Sequence, residues 1–347
     1  MATTAPPTSQ SHPRRWVREN LFSTWYNGIL TIICLIAIIP GIIGFVSWVF
    51  GAAQWGVIAA NLRLFFVGQF PQELYWRLWV SLAILVSLAV ISWGFARRRL
   101  PPTISTWLPA AWGLAFVVIL WLIKGGLGLE PTTTNVWMGL LLTLLVAIIS
   151  ILLSFPLGVM LALGRQSKLP VVRALCILYI EVIRGLPLIG ILFLAQFMLP
   201  LFLPPWFRDL DRVLRAIAGL VLFSAAYLAE NVRGGLQAVP RGQAEAASAL
   251  GLSTPLVVLL IVLPQALRAV IPAIVGQFIG LFKDTSLLAL FGLLELTGIA
   301  RTILAQPEFL GRYAEVYLFI GLIYWVFCYA MSVASRKLER KLNVDRR

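Results

Sequence analysis

One polar run has the composition needed to bind a zwitterionic amino acid. It comprises Lys283, Asp284, Thr285 and Ser286, directly after a long apolar stretch. Such a ligand needs a cation for its carboxylate, an anion for its ammonium group and hydroxyls that complete the hydrogen bonds. Adjacent helical residues point about 100° apart, so Lys283 and Asp284 need not neutralise each other. Gln277, two turns earlier, could line the same face. The alternative is a lysine that anchors the end of a span at the membrane interface.

A second charged pair lies inside an apolar stretch. Glu181 and Arg184 are three residues apart, so on a helix they share one face. Each charge placed mid-span costs about 2.5–3.5 kcal/mol, and pairing with an opposite charge would reduce that cost. We interpret the pair either as the wall of a gate or cavity, or as a structural ion pair between packed helices. Pro187, just beyond, predicts a kink.

An Ala-rich polar segment interrupts the apolar sequence between residues 240 and 251. Pro240 suits the first turn of a helix, and Gly251 suits its end. Thr254 and Pro255 predict the N-cap and first turn of the next helix, so two helices meet at a bend around Gly251. Because its alanines leave the first helix thin, that helix could enter a groove on another protein. The alternative is an ordinary amphipathic surface helix.

Several kinds of chemistry are excluded. The sequence contains no G-x4-G-K-[ST] phosphate-binding loop, so any nucleotide hydrolysis must occur on another chain. His12 is the only histidine, and the three cysteines have no metal-binding spacing. There is also no nucleophile–base pair. We therefore expect a chain that is not an enzyme and carries no cofactor or metal.

The elements that position these residues must be membrane-spanning helices. Of the 347 residues, 60% are hydrophobic and only 12% are charged, and the mean hydropathy is +0.91. A soluble domain carries about 25% charged residues. The net charge of +14 is spread between apolar runs, which favours topology determinants over a nucleic-acid-binding face. The predicted fold is an all-α membrane protein in a lipid bilayer.

Eight stretches are long and apolar enough to cross a bilayer, which needs about 20 helical residues. They are roughly 28–50, 76–95, 106–123, 137–163, 172–200, 213–232, 255–282 and 314–335. Intramembrane charges, paired prolines and the Ala-rich loop all follow Glu130-Pro131. The predicted organisation is a polar leader (1–20), a three-span N-terminal extension (21–130) and a five-span core (131–347) with a loop at about 231–255.

Most basic residues fall on one side of these spans. Since cytoplasmic loops are enriched in Lys and Arg, this predicts that both termini and the 231–255 loop are cytoplasmic. The clusters that carry the prediction are Arg14–Arg18, Arg97–Arg99, Arg165–Arg173, Arg233–Arg241 and Arg336–Arg347.

The Ala-rich segment and the start of the next span resemble a family signature. The pattern EAA-x3-G-x9-I-x-L-P of ABC-importer membrane subunits is met at every specified position, by Glu245, Ala246, Ala247, Gly251, Ile261, Leu263 and Pro264. The resemblance implies that residues 240–252 form a cytoplasmic coupling helix that docks in a cleft of an ATPase subunit. It also implies a five-span core of the type I importer class.

The surrounding runs narrow the resemblance. Residues 179–188, 225–236, 263–268 and 283–287 are similar to polar amino-acid permeases, and the extra N-terminal spans resemble the longer subunits of broad-specificity L-amino-acid systems. The resemblance implies a multi-pass protein of the bacterial inner membrane. Its expected partners are two copies of an ATPase, a periplasmic amino-acid-binding protein and a second, related permease in a heterodimer. The residues predicted from their chemistry to line the substrate pathway are Lys283, Asp284, Thr285, Ser286, Gln277, Glu181 and Arg184.

Two other functions compete with this interpretation. An ion-coupled secondary transporter would use Glu181 for ion coupling and would need no ATPase, but the signature at Glu245–Pro264 counts against it. A membrane anchor or assembly factor has no use for the intramembrane charges at residues 181, 184, 283 and 284.

Overall fold

The computed structural model describes residues 13–96, 102–205 and 208–342. The regular structure in these ranges is helical apart from two isolated β-bridges, which confirms the all-α prediction. Parts of the predicted leader (residues 1–12) and of the basic clusters (Arg97–Arg99, Arg346 and Arg347) lie outside the described residues. The chain divides into two compact units, one ending at Gly56 and one beginning at Val57.

The first unit contains a short helix and one long apolar helix. These are α1 (Pro13–Leu21) and α2 (Trp25–Ser47), and a wider π turn continues α2 to Ala52. The Thr24 side chain caps α2 by accepting a hydrogen bond from the Asn27 N–H. Because α2 buries none of its residues within the chain, its apolar side chains are suited to contact lipid.

The second unit begins with a short helix, α3 (Gly56–Val67), and two long ones, α4 (Tyr75–Ala96) and α5 (Pro102–Lys124). It continues with α6 (Gly139–Arg165), α7 (Pro170–Gly185), α8 (Leu188–Phe193) and α9 (Leu199–Phe202). The chain then forms α10 (Arg212–Ala238), α11 (Arg241–Ala249), α12 (Thr254–Leu256) and α13 (Leu263–Asp284). The last helices are α14 (Leu296–Leu304) and α15 (Tyr313–Leu342).

The predicted span at 172–200 is broken into two arms in the structure. α7 ends at Gly185, and the arm from Leu188 to Phe202 is bent by 107° relative to it. Pro187 has no N–H and disfavours a helical conformation at the preceding residue, and Leu186 is accordingly extended (φ −102°, ψ 143°). The kink expected at Pro187 is therefore present, and it is a complete break.

Seven helices in the described part of the chain are long and apolar enough to cross a membrane, and the broken pair would make an eighth. This agrees with the predicted count of about eight spans. The long connection from Thr254 to Phe291 forms one such segment, which includes α12, a π turn, α13 and a terminal 3-10 turn.

One buried hydrophobic cluster joins residues on both sides of the predicted domain boundary at residue 130. Phe70, Leu74 and Ile123 belong to the same buried cluster as Leu142 and Leu220 of α6 and α10. The Arg77 guanidinium also donates to the carbonyl oxygen of Glu130 (2.7 Å). The boundary near 130 stays a prediction, and α4 and α5 pack against the helices that follow it.

Candidate functional site

The Ala-rich segment folds as the short helix α11, which ends where the sequence predicts. Gly251 adopts φ +84°, a left-handed conformation that glycine takes without strain. Its N–H donates to the Ser248 carbonyl (3.0 Å), and the Leu252 N–H donates to the Ala247 carbonyl (3.3 Å). These two bonds form a Schellman motif, which satisfies the terminal carbonyl groups of α11. Pro240 lies just before the first helical residue instead of within the first turn.

One side of α11 packs on the chain, and the other is free. Ala247 is buried, whereas Glu245 and Ala246 are exposed. Leu250 is 84% exposed, although a leucine gains about 1.5–3 kcal/mol when it is buried. An exposed leucine beside a carboxylate and small alanines is a surface suited to another protein.

The helix that follows begins one residue earlier than predicted. Ser253 is the N-cap and makes no side-chain capping bond, and Thr254 is the first helical residue. The prediction of Thr254 as N-cap is therefore wrong. The cause lies in the backbone: Ser253 has the extended conformation of a cap (ψ 151°), and its carbonyl accepts the first bond, from the Val257 N–H (2.9 Å).

The end of the signature shapes the start of α13. Residues Val257–Val262 form a π turn, and Leu263 and Pro264 follow it. Pro264 lacks the N–H that would bond to the residue four positions earlier, so a wider turn replaces the regular α-helical bonding there. Ile261 and Leu263 are half-buried, and Pro264 is exposed.

The helix α11 is seated on this π turn. Ala247 and Val257, one from each element, are both buried. The Gln265 amide donates to the Ile261 carbonyl (2.8 Å) and to the Gln243 side chain (3.4 Å). α11, the bend at Gly251 and the beginning of α13 are therefore joined by packing and hydrogen bonds. These three parts of the chain contain all seven signature residues.

Glu181 and Arg184 do not pair with each other. Glu181 contacts Arg165 of α6 (3.0 Å), and Arg184 approaches Glu230 of α10 (3.8 Å). Each residue contacts an oppositely charged group on an adjacent helix, which fits the alternative of structural ion pairs between packed helices. The Arg184 guanidinium also lies 5.6 Å from the centre of the Tyr227 ring. Arg165 and Glu230 are not among the site residues predicted from sequence. The signal for Glu230 is its carboxylate inside an apolar span.

The polar run after α13 contains residues in different environments. Lys283 is exposed, Asp284 and Ser286 are half-buried, and Thr285 is fully buried. The Thr285 hydroxyl donates to the Phe282 carbonyl (2.7 Å), so its proton is already used. Of these four residues, Lys283 has the most accessible side chain for a ligand, and the predicted role of the run in the substrate pathway stays a prediction. Gln277 is half-buried.

The two sets of charged residues predicted from sequence lie near opposite ends of α13. One is Glu181 and Arg184 of α7, and the other is the polar run that begins at Lys283. Ile180, next to Glu181, packs in one cluster with Ala229 and with Ala266 near the start of α13. Lys283 is 17 residues beyond Ala266, or about 25 Å along a helix axis. The structure therefore places Glu181 and Arg184 near the α11 end of the unit and the polar run at the other end.

A small cavity with a mixed polar and apolar lining lies at the end remote from α11. Its volume is about 220 Å³, and its lining includes Thr134, Asn135, Asp211 and Arg212. Asp211 caps α10 by accepting from the Val213 N–H (2.7 Å) and also accepts from the Thr134 hydroxyl. Arg212 donates to the Phe291 carbonyl (2.5 Å). These contacts join residues distant in sequence, and no local pattern predicts them.

Glu295 is a buried carboxylate between the last two long spans. It accepts hydrogen bonds from the N–H groups of Thr297 and Gly298 (2.9 Å each) and from the Tyr324 hydroxyl (3.1 Å). Burial raises the pKa of Glu295 to about 7 from its ordinary value of 4.5. Within the described residues, no group of three or more His, Cys, Asp or Glu side chains could hold a metal ion.

Comparison with known proteins identifies the chain's relatives. Residues 154–344 match the family described as binding-protein-dependent transport system inner membrane component. This match covers more than half of the chain and contains the whole signature from Glu245 to Pro264.

Relatives of two lengths are found. The inner membrane amino-acid ABC transporter permease protein YhdY of Escherichia coli (strain K12) is 40% identical, with 98% of this chain and 97% of the relative covered. The glutamate/glutamine/aspartate/asparagine transport system permease protein BztC of Rhodobacter capsulatus is 35% identical, with 100% and 98% covered. The probable glutamine ABC transporter permease protein GlnP of Bacillus subtilis is 41% identical but matches only 58% of this chain. The N-terminal spans are therefore shared with the longer relatives.

A solved structure shares the fold of more than half of the chain. It is described as the crystal structure of an amino acid ABC transporter with histidines, and it matches with 30% sequence identity and a TM-score of 0.52. The match covers 58% of this chain and 92% of that chain.

Proposed function

Because this chain belongs to the family of binding-protein-dependent transport system inner membrane components, we propose that it is the permease subunit of an ATP-driven importer of amino acids. The observation that carries the proposal is the exposed helix α11, which has the full signature and is fastened to the start of α13. The choice of substrate class is supported by the names of three relatives. YhdY is named for amino acids in general, and BztC and GlnP are named for particular amino acids.

The surface of α11 around Glu245, Ala246 and Leu250 is the docking site for an ATPase subunit. Its exposed leucine and small alanines fit a groove, and Gly251 permits the bend that presents them. ATP is hydrolysed on that separate chain, present in two copies. Closure of the two ATPase subunits displaces α11, and the fastening at Gln243 and Gln265 passes the displacement to α13.

The α11 end of the unit faces the cytoplasm, together with both chain termini. The basic clusters around Arg165–Arg173 and Arg233–Arg241 flank this end, and cytoplasmic loops are the ones enriched in such residues. The opposite end, with the small cavity near Asp211, then faces the periplasm, where a binding protein delivers the amino acid. The membrane is the bacterial inner membrane.

A second, related permease covers one face of α13. Its exposed positions are Pro264, Arg268, Pro272, Ala273 and Gly276, which recur about every fourth residue and so form one face, followed by Lys283. A cation costs about 2.5–3.5 kcal/mol at the bilayer centre, so Arg268, within the span, makes this face poorly suited to contact lipid. Gly276 permits another helix to approach closely. Arg268 and Lys283 then border an aqueous pathway between the two chains.

Within that pathway, Lys283 is the group that binds the substrate carboxylate, and Asp284, Ser286 and Gln277 lie on or near the same helix. Thr285 supports the end of α13 through its bond to Phe282. Glu181 and Arg184 lie toward the cytoplasmic end, where substrate leaves.

Vesicle uptake tests this function. The permease, the second related permease, the ATPase and the binding protein are purified and reconstituted, and labelled amino acids are supplied outside the vesicles with ATP inside. We expect uptake that requires both ATP and the binding protein. Uptake driven by a proton gradient without either component would instead establish an ion-coupled transporter.

The variant Glu245→Arg tests the docking site. Reversing the charge on the exposed face of α11 should weaken association with the ATPase at least about tenfold, while membrane insertion is unaffected. Glu308→Arg, on the short 3-10 turn Pro307–Phe309, is the control because it changes an exposed carboxylate outside α11. Normal ATPase binding by Glu245→Arg would contradict the role of this surface.

A further inference from the structure

Glu230 contacts arginines from three helices. Its carboxylate lies 2.7 Å from Arg165 of α6, 2.8 Å from Arg233 of its own helix and 3.8 Å from Arg184 of α7. The Glu230 side chain is only 15% exposed. Since it is eight residues before the end of α10, it lies about 12 Å from that end.

Arg165 joins α7 to α10, because it contacts a carboxylate of each helix. It is the last residue of α6, and its Nη1 atom contacts both Glu230 of α10 (2.7 Å) and Glu181 of α7 (3.0 Å). We call the five side chains the Glu230 cluster; its members are Arg165, Glu181, Arg184, Glu230 and Arg233. The cluster joins α6, α7 and α10.

The helices in contact with α10 are held in two different ways. A Cβ atom at Gly158 of α6 would lie 2.6 Å from Leu228 of α10, so those two helices pack with almost no space between them. By contrast, α7 buries only Ile180, and most of its other residues are half-buried or exposed. On its other side α7 packs closely on α6, where a Cβ atom at Gly164 would overlap the Cys176 sulfur, and Tyr179 donates to the Leu222 carbonyl of α10 (2.7 Å). The charged contacts join α7 to both helices in addition to this packing.

The position of α7 gives this attachment a role in transport. α10 leads into α11 through only two residues, Val239 and Pro240, and α7 ends at the 107° break. We propose that Glu230 is a positioning residue that transmits the movement of α11 to α7 and so to the broken span. This inference rests on the proposed function. The Arg184 contact is the longest of the cluster and among the more exposed, so it is the first to rearrange as α7 moves.

The first test uses Glu230→Gln in the complete reconstituted transporter. The substitution keeps the shape of the side chain and removes the charge that holds the arginines. We expect the number of substrate molecules imported per ATP hydrolysed to fall about tenfold, as is typical of the loss of one coupling interaction. The rate of ATP hydrolysis should remain within about twofold of that of the wild type, because the surface of α11 is unchanged. Glu308→Gln is the control and should leave the ratio unchanged.

A second variant, Arg165→Gln, keeps the inference testable if Glu230→Gln assembles poorly. It removes the guanidinium shared by α7 and α10, and its side chain is 24% exposed, so less folding free energy depends on it. We expect the same ratio to fall about threefold or more. A purely structural role would lower uptake and ATP hydrolysis together and leave their ratio unchanged.

The outcomes separate this inference from the function on which it rests. An unchanged ratio in both variants, with ATP-dependent uptake by the wild type, overturns the role of Glu230 alone. Absence of ATP-dependent uptake by the wild-type complex overturns both.

Discussion

Gly235 of α10 and Ala266 of α13 are in such close contact that a Cβ atom at position 235 would lie 2.5 Å from the Ala266 carbonyl oxygen. The two helices thus meet backbone to backbone, next to the elements that hold α11. Both residues belong to the α11 end of the unit, where Val232, Leu236 and Ala266 form one buried cluster. At this contact neither backbone has space to move toward the other.

Gly235→Ala should destabilise this contact. Because the obstructing atom is backbone, the helices must separate, and overpacking of this kind costs about 1–3 kcal/mol. Thermal denaturation in detergent should show a lower midpoint than for the wild type. Gly234→Ala is the matched control, because a Cβ there would meet nothing within 4 Å. Equal midpoints for the two variants would contradict the close packing of α10 and α13.

Gly251→Ala should disturb the presentation of α11. A residue with a Cβ atom loses about 1–2 kcal/mol in the left-handed conformation that Gly251 adopts. If the strain is relieved by displacing the end of α11, ATPase affinity should fall roughly 5- to 30-fold, as measured by binding in detergent or nanodiscs. The matched control is Gly242→Ala in the same helix, where a Cβ has open space. Unchanged affinity in Gly251→Ala would show that the bend does not control docking.

Lys283→Gln should raise the KM for import and leave ATPase binding unchanged. A hydrogen bond to a charged group contributes about 1.5–3 kcal/mol, which corresponds to roughly 10- to 100-fold in substrate affinity. Arg301→Gln is the control, since Arg301 is also exposed and basic but belongs to α14. Identical uptake kinetics for Lys283→Gln and the wild type would remove this residue from the substrate pathway.

Glu295 should make stability depend on pH. Its pKa is about 7 in the folded protein and 4.5 without burial, so between these values the folded state binds more protons than the unfolded state. The contribution of Glu295 to stability is therefore present below pH 4.5 and is lost as the pH rises through about 7. The loss is at most about 3 kcal/mol.

Comparison with Glu295→Gln isolates that contribution. Denaturation midpoints measured between pH 5 and pH 8 should fall more steeply with rising pH for the wild type than for the variant, since glutamine does not ionise. Parallel curves for the two proteins would show that Glu295 ionises in the folded state as easily as in the unfolded state.

Local features of the site were predictable from sequence, and contacts between distant residues were not. The end of α11 at Gly251 follows from a glycine after an Ala-rich helix, because the Schellman motif depends on neighbouring residues only. The partners of Glu181 and Arg184 depend on how α6 and α10 pack beside α7, and the spacing along α7 contains no information about this. The interruption at Pro187 was visible, but the size of the bend depends on the tertiary contacts of both arms.

The break between Gly185 and Leu188 also has a consequence for hydration. A helix end leaves up to four backbone carbonyls or N–H groups without an intrahelical partner, and hydrocarbon supplies none. The residues at the break, Gly185, Leu186 and Pro187, are exposed on this chain. If the two arms lie within the bilayer, the bend must border water or polar groups of another chain. In that arrangement, the broken span creates a hydrated site on a protein whose surface is otherwise largely apolar and suited to contact lipid.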